Sequence, residues 1–426
     1  MIQTVRKAWS IPDLRKKIVF TLLILLIYRI GNAIPVPYVD VATLTAYLDS
    51  MSTTVLGLYN VMSGGAFADA TVFALSIQPY INASIIIQLL TVAIPALERM
   101  AREEGEVGRK KIASITRYTT VAIALIQGFA YYMLMRNQYN ILTDDGIAAA
   151  FVIIITFVAG SSFIMWLGEQ ITEFGIGNGI SIILFASIIS RIPAGVNTMY
   201  NNREALGVVG IVGIVIGLLA LVVLISHVYN AERRIPVQYA KRQVGRKMYG
   251  GQNTTLPVKV NMSGVMPIIF AQSIAMLPAT IAAFLPKPAE GTFWYGFIHA
   301  IDTQSVLYMI AYFLMIIGFS YFYATIQFNP VEIANNLKRN GGFIPGFRPG
   351  KPTADFISKV LSRITLFGAI YLGIVAIAPL IVGKFISIQG LAIGGTSVII
   401  VVGVAIETVK AMENQMLARQ YKGFLE

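Results

Sequence analysis

The sequence has no cysteine, so disulfides, thiolate nucleophiles and cysteine-bound metals are excluded. Its two histidines, His227 and His299, are too few for a histidine metal cluster. Charge is scarce as well. Charged residues make up 13% of the 426, where a soluble globular domain carries about 25%. With 56% hydrophobic residues and a mean hydropathy of +0.69, too little polar surface remains to clothe a water-facing protein of this size. The surroundings must be partly apolar, and apolar runs of bilayer length agree.

Catalytic signatures are missing too. There is no H-E-x-x-H and no phosphate-binding P-loop, and the G-x-S-x-G-like possibilities lack a plausible partner histidine. GIGNG at 175–179 opens a membrane helix and follows no strand, so it reads as a tight turn. The centres of the apolar runs are nearly free of charge. An ion-coupled transporter should keep Asp, Glu, Lys or Arg near mid-bilayer, where a charge is costly and functional. What the runs do carry is scattered amides: Gln78, Asn82, Gln88, Gln127, Gln272 and Gln327, suited to interhelical hydrogen bonds.

The apolar runs are 18–34, 72–94, 115–135, 147–167, 179–195, 206–228, 262–285, 304–328, 357–382 and 389–411. Each approaches the roughly 17–25 residues that cross the hydrocarbon core. Backbone groups cannot stay unpaired in lipid, so these runs are expected to be helices, giving an all-α polytopic membrane protein with ten transmembrane helices. A spanning barrel would alternate over about ten residues per strand, which is not seen. Residues 1–17 are basic and no small-residue cleavage site ends the first run, so that helix is expected to stay as a span.

Ten spans define two sets of loops. The set containing both termini, 95–117, 168–178, 229–261 and 329–363 holds 27 Lys/Arg and 13 Asp/Glu, counting the C-terminal tail from Glu407; the other holds 4 and 8. Cytoplasmic loops are the ones enriched in Lys and Arg, so both termini are expected in the cytoplasm. The formal net charge of +12 is then mostly a topology signal. Five spans before about residue 200 and five after must run in opposite senses, which permits two inverted halves. No internal sequence repeat is visible, so this symmetry follows from topology alone.

Two features exceed simple spanning. Residues 55–71, VLGLYNVMSGGAFADAT, are apolar but too short to cross, and Gly64-Gly65 breaks them. They read either as an external amphipathic loop or as a re-entrant element surrounded by protein. The loops 229–261 and 329–363 are long and basic. In the first, IPVQY and LPVKV flank Gly250-Gly251 and read as a two-stranded projection. The second has a Gly/Pro-rich tip carrying Arg348 and Lys351. Topology charge plus attraction to anionic lipids is one reading; docking of a soluble partner is the other.

Six stretches resemble one family, in order along essentially the whole chain. They are 63–90, 166–183, 232–247 (ERRIPVQYAKRQVGRK), 256–271 (LPVKVNMSGVMPIIFA), 328–353 (FNPVEIANNLKRNGGFIPGFRPGKPT) and 394–407 (GGTSVIIVVGVAIE). All are similar to the SecY/Sec61-alpha family of protein-conducting channels, and the docking loops resemble the bacterial branch. The resemblance implies a clamshell of two inverted five-helix halves, 1–195 and 206–426, around a central pore. It implies a pore ring at Ile77, Ile81, Ile180, Leu184, Ile269 and Ile400, positions that residue chemistry alone would assign to helix packing. Leu184 replaces the commoner isoleucine. It implies a plug at about 55–70, with Leu58, Tyr59, Asn60, Met62, Gly64 and Gly65.

The resemblance further implies a lateral gate between spans two and three and spans seven and eight, with a polar cluster at Asn82, Gln127 and Asn261. Asn82 is larger than the small hydroxyl residue expected there. Motor or ribosome docking falls on Arg233, Arg234, Lys241, Arg242, Arg246, Lys247, Arg348 and Lys351, in loops at about 229–261 and 329–356. The implied activity is passage of unfolded secretory polypeptides across the cytoplasmic membrane, and of membrane segments sideways into it. Implied partners are SecE-like and SecG-like small subunits, the SecA motor, the ribosome, signal sequences and unfolded precursors; no cofactor is implied and ATP hydrolysis belongs to the motor. Two other readings remain: a secondary transporter, which fits inverted halves and Gly-broken helices but not the uncharged span centres, and a non-transporting membrane scaffold.

Overall fold

The computed structural model describes residues 2–51, 54–102, 104–137, 141–239, 242–244, 247–249, 253–262, 264–284, 296, 305–385 and 395–422. Helix α1 (Ile2–Ser10) is followed by α2 (Pro12–Gly31). Pro12 opens α2 in the first turn, where a missing N–H removes no helix bond. An extended stretch follows, and its bridges Pro35↔Thr71 and Val39↔Leu142 tie it to later loops. Helix α3 (Val41–Ser50) is capped by Asp40, whose Oδ1 accepts from Ala42 N–H at 3.1 Å.

Helix α4 (Val55–Met62) is short, and residues 63–77 run as successive turns. Helix α5 (Gln78–Ala93) therefore starts six residues later than the apolar run at 72 suggests. Ala70 and Ser76 have positive φ (41° and 51°), which keeps the run out of a regular helix. At Ile94-Pro95 the chain bends by 105° into α6 (Pro95–Arg102), because the residue before a proline is pushed out of the helical region.

The long helices follow: α7 (Gly105–Arg136), α8 (Ile147–Phe174), α9 (Gly179–Ser190), α10 (Ile192–Asn201) and α11 (Arg203–Asn230). After a long loop come α12 (Met266–Phe284), α13 (Val306–Gln327), α14 (Pro330–Arg339), α15 (Lys351–Phe385) and α16 (Gly395–Lys422). Among the described residues, six helices are long and apolar enough to cross a membrane, or seven if α5 and α6 count as one bent span. The runs at 18–34, 262–285 and 389–411 overlap α2, α12 and α16. Of these, α2 carries charges near both ends, the described apolar stretch of α12 is Met266–Ala282, and α16 carries Glu407, Lys410 and Glu413.

One apolar core runs through the bundle and gathers side chains from α2, α4, α5, α7, α8, α9, α11, α12, α13, α15 and α16. Glycines set the closest approaches. A Cβ on Gly160 would lie 1.9 Å from Val72 O, and one on Gly179 would lie 1.9 Å from Gly168 O. The GIGNG turn joins α8 to α9, with Gly177 at φ +73° and Asn178 Oδ1 accepting from Ile180 and Ser181 N–H.

The expected pairing in loop 229–261 is present. Strand β1 (Glu232–Tyr239) pairs antiparallel with β4 (Asn253–Lys259), with Ile235 opposite Leu256; β2 (Arg242–Val244) and β3 (Lys247–Tyr249) form a smaller ribbon between them. The structure adds a strand that the sequence did not suggest. Strand β5 (Gly342–Phe343) from the second loop pairs with the other edge of β1, giving the order β4-β1-β5. Ile235 and Val237 point inward on the two-residue period and pack with Val258, Ile344, Ile357 and Leu361. The two basic loops are thus one body, built onto the start of α15.

Candidate functional site

The six ring positions come from four helices and one turn. Ile77 caps the N-terminus of α5 and Ile81 N–H donates to its carbonyl at 3.1 Å. Ile180 and Leu184 lie one turn apart on α9, Ile269 is on α12, and Ile400 is on α16. All except Ile180 are buried, and Ile180 packs against the same core. Ile77 and Ile180 converge on Gly168 of α8, where an added Cβ would lie 3.5 and 3.7 Å from their side chains. The six therefore belong to one apolar core, without a charged group among them.

Residues 55–77 pack into that core. Leu56, Tyr59, Met62 and Phe67 belong to the same core, with Leu58 partly buried at its edge. Met62 Sδ accepts from Gln78 Nε2 of α5 at 3.2 Å and from Gln272 Nε2 of α12 at 3.4 Å. Tyr59 Oη donates to Leu75 O at 3.2 Å, and Asn60 Oδ1 accepts from Ala68 N–H at 3.0 Å. Burial pushes the Tyr59 phenol pKa up. Tyr131 of α7 donates to Phe67 O and stacks on its ring, with centroids 4.3 Å apart. The Gly-Gly break has a steric reason. Gly64 and Gly65 have φ of +72° and +95°, and Cβ atoms there would lie 3.1 Å from Ser187 and 2.9 Å from Arg191 Nη1 at the end of α9.

The three gate amides share no hydrogen bond with one another among the described residues. Asn82 Oδ1 on α5 and Gln127 Oε1 on α7 are buried without a partner. Asn261, just before α12, donates to Gly264 O at 3.1 Å. It lines a cavity of about 430 Å³ with Asn178, Tyr229, Lys259, Tyr323 and Glu407. A direct bond between α5 and α13 comes from other residues: Tyr323 of α13 donates to Gln88 of α5 at 2.9 Å. Within the second half, Tyr229 of α11 donates to Glu407 of α16 at 2.6 Å.

Of the residues expected to dock a partner, Arg233 and Arg234 are exposed on β1, and Arg234 Nε pairs with Glu232 at 2.8 Å. Arg348 is exposed in the tip between β5 and α15, and Lys351 is the first residue of α15. Arg242 and Lys247 lie on β2 and β3. Lys241 and Arg246 lie outside the described residues.

A short apolar segment packed into the helix-bundle core, with a basic sheet formed by two long loops, is the arrangement against which known proteins can be compared. A family model described as SecY matches residues 71–409. The chain belongs to the SecY family. It is 44% identical to protein translocase subunit SecY of Streptomyces scabiei over 440 residues, covering 100% of both chains. It is 43% identical to protein translocase subunit SecY of Mycobacterium tuberculosis (strain ATCC 25618 / H37Rv), covering 97% of each. Among solved structures it resembles a protein conducting channel with a TM-score of 0.67 at 18% identity, over 95% of this chain and 93% of that one. It resembles Sec61 in the canine ribosome-channel complex with a TM-score of 0.64 at 16% identity, over 95% and 93%.

The SecY-family chain is thus a channel subunit of a protein translocase, a multi-pass membrane protein of a channel family rather than an enzyme family. Sequence reasoning named Gln78, Gln88 and Gln272 only as generic interhelical amides and missed their partners. Tyr323, Tyr229 and Glu407 were not singled out; an aromatic hydroxyl within an apolar run was the available signal.

Proposed function

We propose that Ile77, Ile81, Ile180, Leu184, Ile269 and Ile400 form an apolar waist, the closed pore of a bacterial protein-conducting channel, and that residues 55–70 are its plug. The supporting observation is the placement of this short segment. It does not span, yet Leu56, Tyr59 and Met62 are buried in one core with Ile77, Ile81, Leu184, Ile269 and Ile400. Backbone of that kind is tolerated at membrane depth only inside protein or beside a water-filled cavity. Ten spans in two inverted halves, 1–195 and 206–426, would surround it, with both termini cytoplasmic.

The steps follow from the chemistry. A SecA motor or a ribosome docks on the basic sheet, where Arg233, Arg234 and Arg348 stand exposed. A signal sequence enters as a helix between α5/α7 and α12/α13, exchanging protein contacts for lipid. The plug leaves, and an extended chain threads the ring. Apolar side chains fit loosely around varied residues, limit ion leak and bind none of them tightly. Propulsion comes from the partner, and SecE-like and SecG-like subunits complete the assembly in the bacterial cytoplasmic membrane, with anionic lipids at the basic face.

The test is reconstitution. Vesicles holding this chain with its small partner subunits, motor and ATP should protect a precursor polypeptide from external protease. Absence of protection, with motor hydrolysis running and the chain inserted, overturns the reading.

A further inference from the structure

One carboxylate ties the root of α12 to two other helices. Tyr229, near the end of α11 and 5% exposed, donates from Oη to Glu407 Oε1 of α16 at 2.6 Å. The backbone N–H of Val265, one residue before α12, donates to the same side chain. Gly264 stands where no side chain fits: its φ is +66°, and an added Cβ would lie 2.2 Å from Glu407 Oε1. Gly403, one turn earlier on α16, would place a Cβ 2.3 Å from Val265 Cγ2 and 3.1 Å from Tyr229 Oη. Lys259 and Lys410 line the cavity beside the carboxylate and offset its charge.

This knot sits where the basic sheet joins the helices. Ala231 alone separates α11 from β1, and residues 260–265 separate β4 from α12. Val260 N–H donates to Ala231 O at 2.9 Å, so the ladder between β1 and β4 runs up to the knot. A slack connector would absorb a displacement of the sheet, whereas a packed and hydrogen-bonded one passes it on. Hydrogen bonds to a carboxylate are about twice as strong as neutral ones, which suits a joint under load. We propose that Glu407 is a positioning residue that makes the sheet and the start of α12 one rigid piece, so that movement imposed on the sheet by a docked partner reaches the gate helix. This rests on the docking and gate reading above, and it adds a residue outside both the basic docking face and the apolar ring.

The experiment places the full chain with its small partner subunits in vesicles and follows transport of an intact precursor against motor concentration, with ATP present. Tyr229→Phe removes only the hydroxyl, Glu407→Leu removes the acceptor, and Glu407→Gln keeps an acceptor oxygen in the same shape. A coupling residue acts on the maximal rate, while a docking residue acts on the motor concentration that gives half of it. Tyr229→Phe and Glu407→Leu should lower the maximal rate about three- to tenfold and leave the half-saturating motor concentration within about twofold of the parent. Glu407→Gln should keep at least about half of the parental rate. Adding Tyr229→Phe to Glu407→Leu should cost little more, since both break one contact. A parental maximal rate in Tyr229→Phe, a Glu407→Gln variant as slow as Glu407→Leu, or a change confined to the half-saturating concentration each overturns the inference. Should Glu407→Leu fail to fold, Tyr229→Phe decides on the same two quantities. A parent whose transport ignores the motor removes the docking reading, and with it this inference.

Discussion

Tyr323 Oη on α13 donates to Gln88 Oε1 on α5 at 2.9 Å, a direct bond across the seam where a signal sequence is proposed to enter. The Phe270 ring of α12 packs edge-on to Tyr323 at 5.2 Å, which fixes the hydroxyl in place. A partly buried bond of this kind is worth about 0.5–1.5 kcal/mol net. Tyr323→Phe keeps the ring and removes the bond. Lateral-gate opening should become easier, seen as a several-fold rise in crosslinking of a signal sequence to α5. Unchanged crosslinking would show that the bond is incidental.

A polar group at the waist should weaken its closure. Ile81 and Ile400 are 3% and 1% exposed. An asparagine amide there costs about 1–3 kcal/mol when it stays unpaired, and hydration relieves it. Ile81→Asn and Ile400→Asn should therefore raise ion leak on the order of tenfold and export precursors with defective signals. The pore assignment fails for either position whose variant exports such precursors no better than the parent.

Arg348 offers a cleaner separation of docking from folding. Its side chain is exposed, and the tip is held instead through its backbone, with Thr353 Oγ1 donating to Arg348 O at 2.8 Å. Arg348→Glu should reverse the local charge without unfolding the loop. Motor-driven transport should fall at least tenfold, since like charges facing a docking partner cost several kcal/mol. Thermal melting should match the parent, and full transport by this variant would refute a docking role.

Three glycines of α8 and α9 should respond differently to alanine. At Gly168 the new Cβ would meet Ile77, Ile180 and Ile183 at 3.5–3.7 Å, ordinary contact distances. At Gly160 and Gly179 it would meet backbone oxygens at 1.9 Å. Gly168→Ala should leave yield and melting temperature near parental values. Gly160→Ala and Gly179→Ala should lose about 1–3 kcal/mol or more through forced separation of packed backbones. Equal stability of all three would mean these helices approach less closely than described.

Much of this protein was legible in one dimension because the bilayer simplifies the physics. Runs of apolar residues must be helices in lipid, and the described helices overlap those runs. The pairing of IPVQY with LPVKV was legible too, since strand residues flanked a Gly-Gly break. The start of α5 was not. Residues 72–77 are as apolar as the helix after them, and only contacts such as Gly160 against Val72 O hold them as turns.

Composition and order thus determined that the chain lives in a membrane, that its span centres carry almost no charge, and which family it resembles. Tertiary structure alone decided that the two basic loops share a sheet through β5, and that Met62 stands between Gln78 and Gln272. Among the described residues it also left Asn82, Gln127 and Asn261 without mutual bonds and paired Tyr323 with Gln88 instead. Transfer into lipid depends on each segment's own residues. A hydrogen bond between helices depends on where two distant segments meet, and that is set by packing across the whole bundle.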